Sequence, residues 1–241
     1  MPYDVPNAVE ELDFPSQYME ILKQAPDLML QALKRDGPPI ESGLINIGKI
    51  DESMKTAFFF FHWVTEINEV IKNINIILSD MRELPKNYIM LKGSPSKRFY
   101  ILYRMYFYEF YRFREIFSSF VKIAAERHHI KRDEAKSLRK LFHDAFSEVI
   151  GVRNTLVHNS PIWKGEDHFD LSFFGSAWEQ DMVMKHLETG EIHDISKPLA
   201  RVCPKTADIL EGEAKRTSYV LDKIIGLIAS MPPAENDAES T

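Results

Sequence analysis

Between Ser96 and Arg127, Phe99, Leu102, Tyr106, Phe110, Phe113, Phe117, Phe120 and Ala124 recur at steps of three or four. That spacing lines one side of a helix with aromatic rings. A stripe so apolar cannot stay in water and must be covered by other helices. A second segment has the same period: Phe60, Val64, Ile67, Ile71, Ile74 and Leu78. Two long amphipathic helices facing one core predict a mainly α fold, a helix-on-helix bundle.

The rest of the chain is read around these two helices. Residues 1–15 carry Pro2, Pro6 and Pro15 and read as an irregular arm. Ser16 opens a helix to about Arg35, stopped by Gly37-Pro38-Pro39, and 40–50 form a loop. Asp51 or Ser53 caps the next helix, which runs to about Met81. The stretch from Pro85 to Pro95 breaks the pattern before the aromatic helix. Asp133 then caps a helix whose stripe is Leu138, Leu141, Ala145, Val149, Val152 and Leu156. Its opposite face carries Lys140, Ser147, Gly151, Asn154 and His158 within about 40° of one line. Glycine in a helix costs about 1 kcal/mol relative to alanine, so Gly151 suits close approach by a helix, a ligand or a second chain. Asn159 can take the left-handed conformation that ends a helix, and Pro161 prevents continuation.

Residues 161–203 change character. Phe169 to Phe173 alternates as a half-buried strand does, and 182–196 read as a hairpin around Thr189-Gly190. Lys185 is expected opposite Asp194, Leu187 opposite Ile192 and His186 opposite His193. Pro204 starts the last helix, with Ile209, Ile224, Leu227 and Ile228 among its apolar positions. The expected organisation is an arm and helix over 1–50, a helical core over 51–160, a β-like insertion over 161–203, the closing core helix over 204–231 and a disordered tail over 232–241.

Composition narrows the function classes. The chain has 241 residues, 44% of them hydrophobic, enough for one sizeable core. No apolar run approaches the roughly 18 residues of a membrane span, and no membrane partner is expected. One cysteine, Cys203, excludes an internal disulfide. With no secretory pattern at the N-terminus, these features point to the cytoplasm. The net charge of −6 argues against indiscriminate nucleic-acid binding. Yet residues 92–140 hold 13 Lys/Arg against 5 Asp/Glu, a local excess of +8. This marks either a phosphate-facing surface or a solvated face balanced by its neighbours. Arg104, Arg112, Arg114 and Lys140 are the candidate RNA-binding residues. Tyr100, Tyr103, Tyr108 and Tyr111 interleave with these arginines, for base stacking or for helix packing.

The sequence has no Walker loop, no dinucleotide-binding glycine pattern, no paired cysteines and no nucleophile elbow. The His128-His129 doublet sends its rings to different helix faces, and two imidazoles at His186 and His193 do not make a secure zinc site. Neither metal nor cofactor is assigned. The remaining constellation is Arg153, Asn154 and His158. An imidazole with a pKa near ~6.5 can move a proton at neutral pH, and a helix C-terminus favours its charged form. Arg153 can grip phosphate at two points, and Asn154 adds a donor and an acceptor. Such a set can cleave RNA through the ribose 2′-hydroxyl; it can equally pair with carboxylates and close a helix. Five residues set Arg153 and His158 about 140° apart on an ideal helix, a mismatch that a site shared between two chains relaxes.

The Arg-Asn-x-x-x-His segment, late in a helix of a helical core, resembles the HEPN superfamily (higher eukaryotes and prokaryotes nucleotide-binding). Val152 before it, Leu156 within it and Asn159 after it fit the pattern. The resemblance covers roughly 51–160 and the last helix. It implies an up-and-down bundle of four or five helices; the arm before residue 50 and the β-like insertion over 161–203, with its small β-hairpin before the last helix, are not explained by it. It also implies a homodimer bringing two motifs to one cleft, here through the Ser147, Gly151 and Asn154 face. The implied activity is that of a metal-independent endoribonuclease of toxin–antitoxin or phage-defence type, with Arg153, Asn154 and His158 catalytic, acting on RNA and held by an antitoxin or regulatory protein. Arg104 and Glu109 are the candidates for a further polar residue from an earlier helix. Other members keep the fold as non-catalytic dimerisation or binding modules, or as nucleotide-binding regulators, and both readings stay open.

Overall fold

The computed structural model describes residues 8–27, 30, 34, 51–158 and 166–231, with the side chains of 153–158 and 166–168 outside the description. The expected helix end near Arg35, the Gly37-Pro38-Pro39 stop, the 40–50 loop, Asn159, Pro161 and the tail after Met231 lie outside the described residues. The elements are α1 (Ser16–Lys23), α2 (Glu52–Asn87), α3 (Pro95–Glu126), α4 (Arg132–Ala145), α5 (Ser147–His158), α6 (Glu166–Glu179), β1 (Met184–Lys185), β2 (Ile192–His193) and α7 (Ser196–Ser230). The fold is a mainly α bundle with a two-stranded hairpin before its last helix. No described helix is long and apolar enough to cross a membrane.

The bundle is organised by α2, α3 and α7. Helix α2 packs against both others, α4 and α5 lie on α3, and α6 sits on α7 and α3. Asp51 caps α2, its carboxylate accepting from the Met54 amide at 2.7 Å. The aromatic stripe of α3 is the core: Phe99, Tyr106, Phe110, Phe113, Phe117 and Phe120 are fully buried. Burying one such side chain contributes on the order of 1.5–3 kcal/mol. The one hydroxyl in that set is satisfied, Tyr106 donating to the Leu210 carbonyl of α7 at 2.7 Å. Arg82 of α2 bridges to Asp208 and Glu211 of α7 at the rim.

Two prolines do not act as the spacing predicts. Helix α2 continues through Pro85 to Asn87, and α7 begins at Ser196 and carries Pro204 in its interior. An interior proline removes one helical hydrogen bond and costs about 3 kcal/mol. Burial on either side offsets that cost: Met81, Leu84 and Tyr88 around Pro85, and Leu199, Val202, Cys203 and Ala207 around Pro204. Along α7, Ile228 is buried, whereas Ile209 and Leu227 are exposed.

The helix expected to run unbroken to His158 is two helices. Phe146 leaves helical geometry (φ −120°, ψ 18°) between α4 and α5. Its ring is buried, 4.8 Å from Phe142 and 6.0 Å from Phe110, with the Arg216 guanidinium 5.4 Å above it. The buried line is therefore Ala135, Phe142, Phe146 and Ile150, while Leu141 is 62% exposed. Aromatic rings bury more apolar area than Leu141 or Ala145, and they set the rotation. Lys140 and Gly151 consequently sit on different helices. At the start of α4 the Glu134 carboxylate accepts from the Lys131 amide at 2.8 Å. Asp133 lies inside the first turn, not at the cap.

The described part of the expected β-like insertion, 166–203, is mainly helical. The Phe169–Phe173 alternation belongs to α6, where these two rings stack outside at 5.8 Å. Leu171, Phe174, Ala177 and Trp178 follow helical spacing and carry the packing, Trp178 meeting the Tyr88 ring edge-on at 5.2 Å. The hairpin forms where expected, but its register is Met184 opposite His193 and Lys185 opposite Ile192, two residues from the charge-paired one. Gly190, with φ +70°, donates to the His186 carbonyl at 2.9 Å and closes a longer turn. Asp194 is used elsewhere, accepting from the Ser196 amide at the start of α7.

One glycine is fixed by contact. A Cβ on Gly175 of α6 would stand 2.2 Å from the Ser96 hydroxyl and 2.6 Å from its Cβ. Ser96 is itself buried and hydrogen-bonded to Ser94. Gly175→Ala gains about 1 kcal/mol of helix propensity but overpacks a rigid contact, for about 1–3 kcal/mol. A net loss in chemical denaturation is expected; a rise in stability would show that α6 is free to shift off α3.

Candidate functional site

Arg153, Asn154 and His158 lie on α5, His158 as its last residue; their side chains are outside the described residues. The helix packs on α3 through a buried Ile150 and a half-buried Val149. Ser147 and Gly151, which share the Asn154 and His158 line by spacing, are both exposed. A Cβ built on Gly151 meets nothing within 4 Å. Packing within the described chain therefore does not demand glycine there.

The four candidate RNA-binding residues separate into two sets. Arg104 is exposed on the outer face of α3, beside Met105 and Tyr108. Arg112 donates to a Glu109 carboxylate oxygen at 2.8 Å, and Asn73 of α2 donates to the same oxygen at 3.2 Å. Glu109 is thereby committed to a structural contact. Tyr100, Tyr103 and Tyr111 are half-buried against the core, and only Tyr108 of the four tyrosines is exposed.

Arg114 and Lys140, by contrast, come together. They line a groove of about 330 Å³ between α3 and α4 with Ser118, Lys136, Arg139 and His143. Its floor is the Phe117–Phe142 stack, with ring centroids 4.6 Å apart. The Tyr111 hydroxyl accepts from Arg114 at 2.8 Å, and the guanidinium lies 5.2 Å from that tyrosine ring. Arg139 donates its Nε to the Ala135 carbonyl at 3.4 Å. Lys136 reaches Asp133 at 3.1 Å, and His143 lies 3.6 Å from Asp144. Neither carboxylate lines the groove. Sequence reading missed Lys136, Arg139 and His143. The available signal was spacing along α4: Lys136 and His143 stand four and three residues from Lys140, and Arg139 is adjacent to it.

Other reactive groups are taken up by packing. Burial pushes the Cys203 thiol up to about 12, so it is no nucleophile near neutral pH. Burial, with Arg127 and His128 alongside, lowers the His129 pKa, and its ring stacks on Phe59 at 5.3 Å. His128 sits at φ +62° just beyond α3. The His186 and His193 rings lie 6.3 Å apart, with a Glu191 carboxylate oxygen 3.8 Å from His193, and among the described residues no group of three or more such side chains is placed to hold a metal ion. Comparison with family models, with curated proteins and with solved structures finds no match to this chain.

Proposed function

We propose that the protein is a metal-independent endoribonuclease of HEPN type, cleaving single-stranded RNA with Arg153, Asn154 and His158. One observation carries this reading: the Arg-Asn-x-x-x-His segment occupies the second half of a bundle helix, and His158 is its final residue. The C-terminal dipole favours the imidazolium there. A histidine near neutrality can take the proton of a ribose 2′-hydroxyl and return one to the leaving 5′-oxygen. Arg153 offsets the charge that builds on the phosphate, and Asn154 orients it. The product is a 2′,3′-cyclic phosphate, because the attacking oxygen belongs to the same ribose. The test is cleavage of mixed single-stranded RNAs in EDTA, with product ends identified by mass spectrometry. Cyclic phosphate ends are expected; cleavage of DNA, or a requirement for added metal, would overturn the reading. A toxin or phage-defence role held by an antitoxin-like regulator belongs to the same proposal.

A homodimer through the Ser147–Gly151–Asn154 line belongs to it as well, supported by the exposure of Ser147 and Gly151. That open line also suits a non-catalytic dimerisation module, which is the reading that remains if no RNA is cut. Gly151→Ala is expected to raise monomer stability by about 1 kcal/mol, since its Cβ meets nothing. Gly151→Trp is expected to split the dimer while leaving the helical circular dichroism unchanged. Sedimentation of both variants checks this, and a wild type that stays monomeric at high concentration removes the dimer.

A further inference from the structure

We propose that the groove between α3 and α4 binds closely spaced phosphate groups, those of a single-stranded RNA backbone. The inference deepens the nuclease reading and rests on it for the choice of RNA. Four cations from two helices, Arg114, Lys136, Arg139 and Lys140, meet in this one groove with the hydroxyl of Ser118 and the imidazole of His143. Its volume of about 330 Å³ falls at the lower end of ligand sites. Among the described residues Arg114, Arg139 and Lys140 have no carboxylate partner. Gathering like charges along α4, Lys136 and Lys140 one turn apart among them, destabilises a helix slightly. An anion reverses the sign of that contribution.

The cations are also placed in advance. Tyr111 braces Arg114 by hydroxyl and ring, and Ala135 holds the Nε of Arg139, leaving terminal guanidinium donors for a ligand. Side chains already ordered lose less freedom on binding. The buried Phe117–Phe142 stack beneath them excludes water and keeps the local field strong. In a protein of net charge −6, this concentrates anion attraction at one place. A strand fits better than a single phosphate because the charges come from both walls of an open groove, Arg114 on one and the α4 cations on the other.

The experiment is fluorescence anisotropy of a labelled oligouridylate 12-mer with the full chain carrying His158→Ala, so that the RNA stays intact. Salt is varied throughout. Arg139→Gln with Lys140→Gln should weaken binding about 10-fold or more. It should also flatten the log K against log salt slope by roughly 1.4, at ~0.7 per charge for single strands. Arg114→Gln, on the other wall, should flatten it by about 0.7 and serves if the double variant does not fold. Lys86→Gln, at the far end of α2, should change neither. Unlabelled oligouridylate should compete far better than pyrophosphate. Slopes unaltered by the groove variants, or binding of pyrophosphate alone, would overturn the proposal. Groove-dependent RNA binding by a wild type that cuts nothing would keep the groove and remove the nuclease.

Discussion

His158→Ala is expected to slow RNA cleavage by about 10²–10⁴-fold and Arg153→Ala by about 10²–10³-fold, through different losses. The histidine variant loses proton transfer, and a positioned general base or acid contributes about that factor. The arginine variant loses a fixed cation beside the phosphate, and removing one donor to developing transition-state charge costs about 10²–10³ in kcat. The two should differ in their response to pH. A titrating imidazole gives a rate that changes with pH near its own pKa, and His158→Ala should flatten that profile. Arg153→Ala should keep its shape and lower it throughout, because a guanidinium stays charged across the range. Arg153→Lys should recover only part of the rate, since an ammonium cannot make a two-point contact. If groups at one centre act as a unit, the double variant should be little worse than either single one. Equal cleavage by wild type and both variants would identify a contaminating nuclease and end the assignment.

The bundle was legible because its signals are long. The α3 stripe predicts both the helix and its buried face, and Asp51 marks the start of α2. Errors came where two patterns share a short window. Phe169 to Phe173 alternates like a strand, but the decisive residues, Phe174 and Ala177, lie beyond it. The hairpin register went to backbone geometry at Gly190 instead of the Lys185–Asp194 charge pair, because exposed pairs contribute little. The bend at Phe146 could not be read locally, since it depends on Phe110 and Arg216 far away in sequence. Half of the candidate groove was visible as Arg114 and Lys140. Lys136, Arg139 and Lys140 share one side of a helix by their spacing, but that this side meets Arg114 depends on Phe142 packing α4 onto Phe117 of α3. Arg112 pairs with Glu109, three residues away on the same helix, and composition shows charge without pairing.

The N-terminal arm is expected to depend on one buried asparagine. Asn75 of α2 accepts from the Val9 amide at 2.8 Å and donates to the Val9 carbonyl at 2.9 Å. Two helical turns earlier Asn68 repeats the arrangement with Leu12, at 2.7 and 3.1 Å. Two side-chain amides thus do for the arm what a neighbouring strand would do, and the Ser218 hydroxyl adds a contact to the Glu10 carbonyl at 3.0 Å. Asn75→Ala leaves two buried backbone groups without partners, roughly 1–3 kcal/mol each. The alternative is to release the arm, which exposes Val9 and Leu12, now 0% and 6% exposed, at about 1.5–3 kcal/mol apiece. Both routes cost several kcal/mol, so the variant should lose about 2–6 kcal/mol in denaturant unfolding. Hydrogen exchange at Val9 and Leu12 tells them apart, rising toward the free-peptide rate only if the arm leaves. Asn68→Ala should cost less, because its bonds are only partly buried. Asn75→Asp keeps the acceptor and loses the donor, and its carboxylate faces the Val9 carbonyl. Protonation restores an O–H donor, so its deficit against wild type should shrink as pH falls. An Asn75→Ala variant within about 0.5 kcal/mol of wild type, the ordinary range of a surface substitution, would mean that the arm is not part of the cooperative fold.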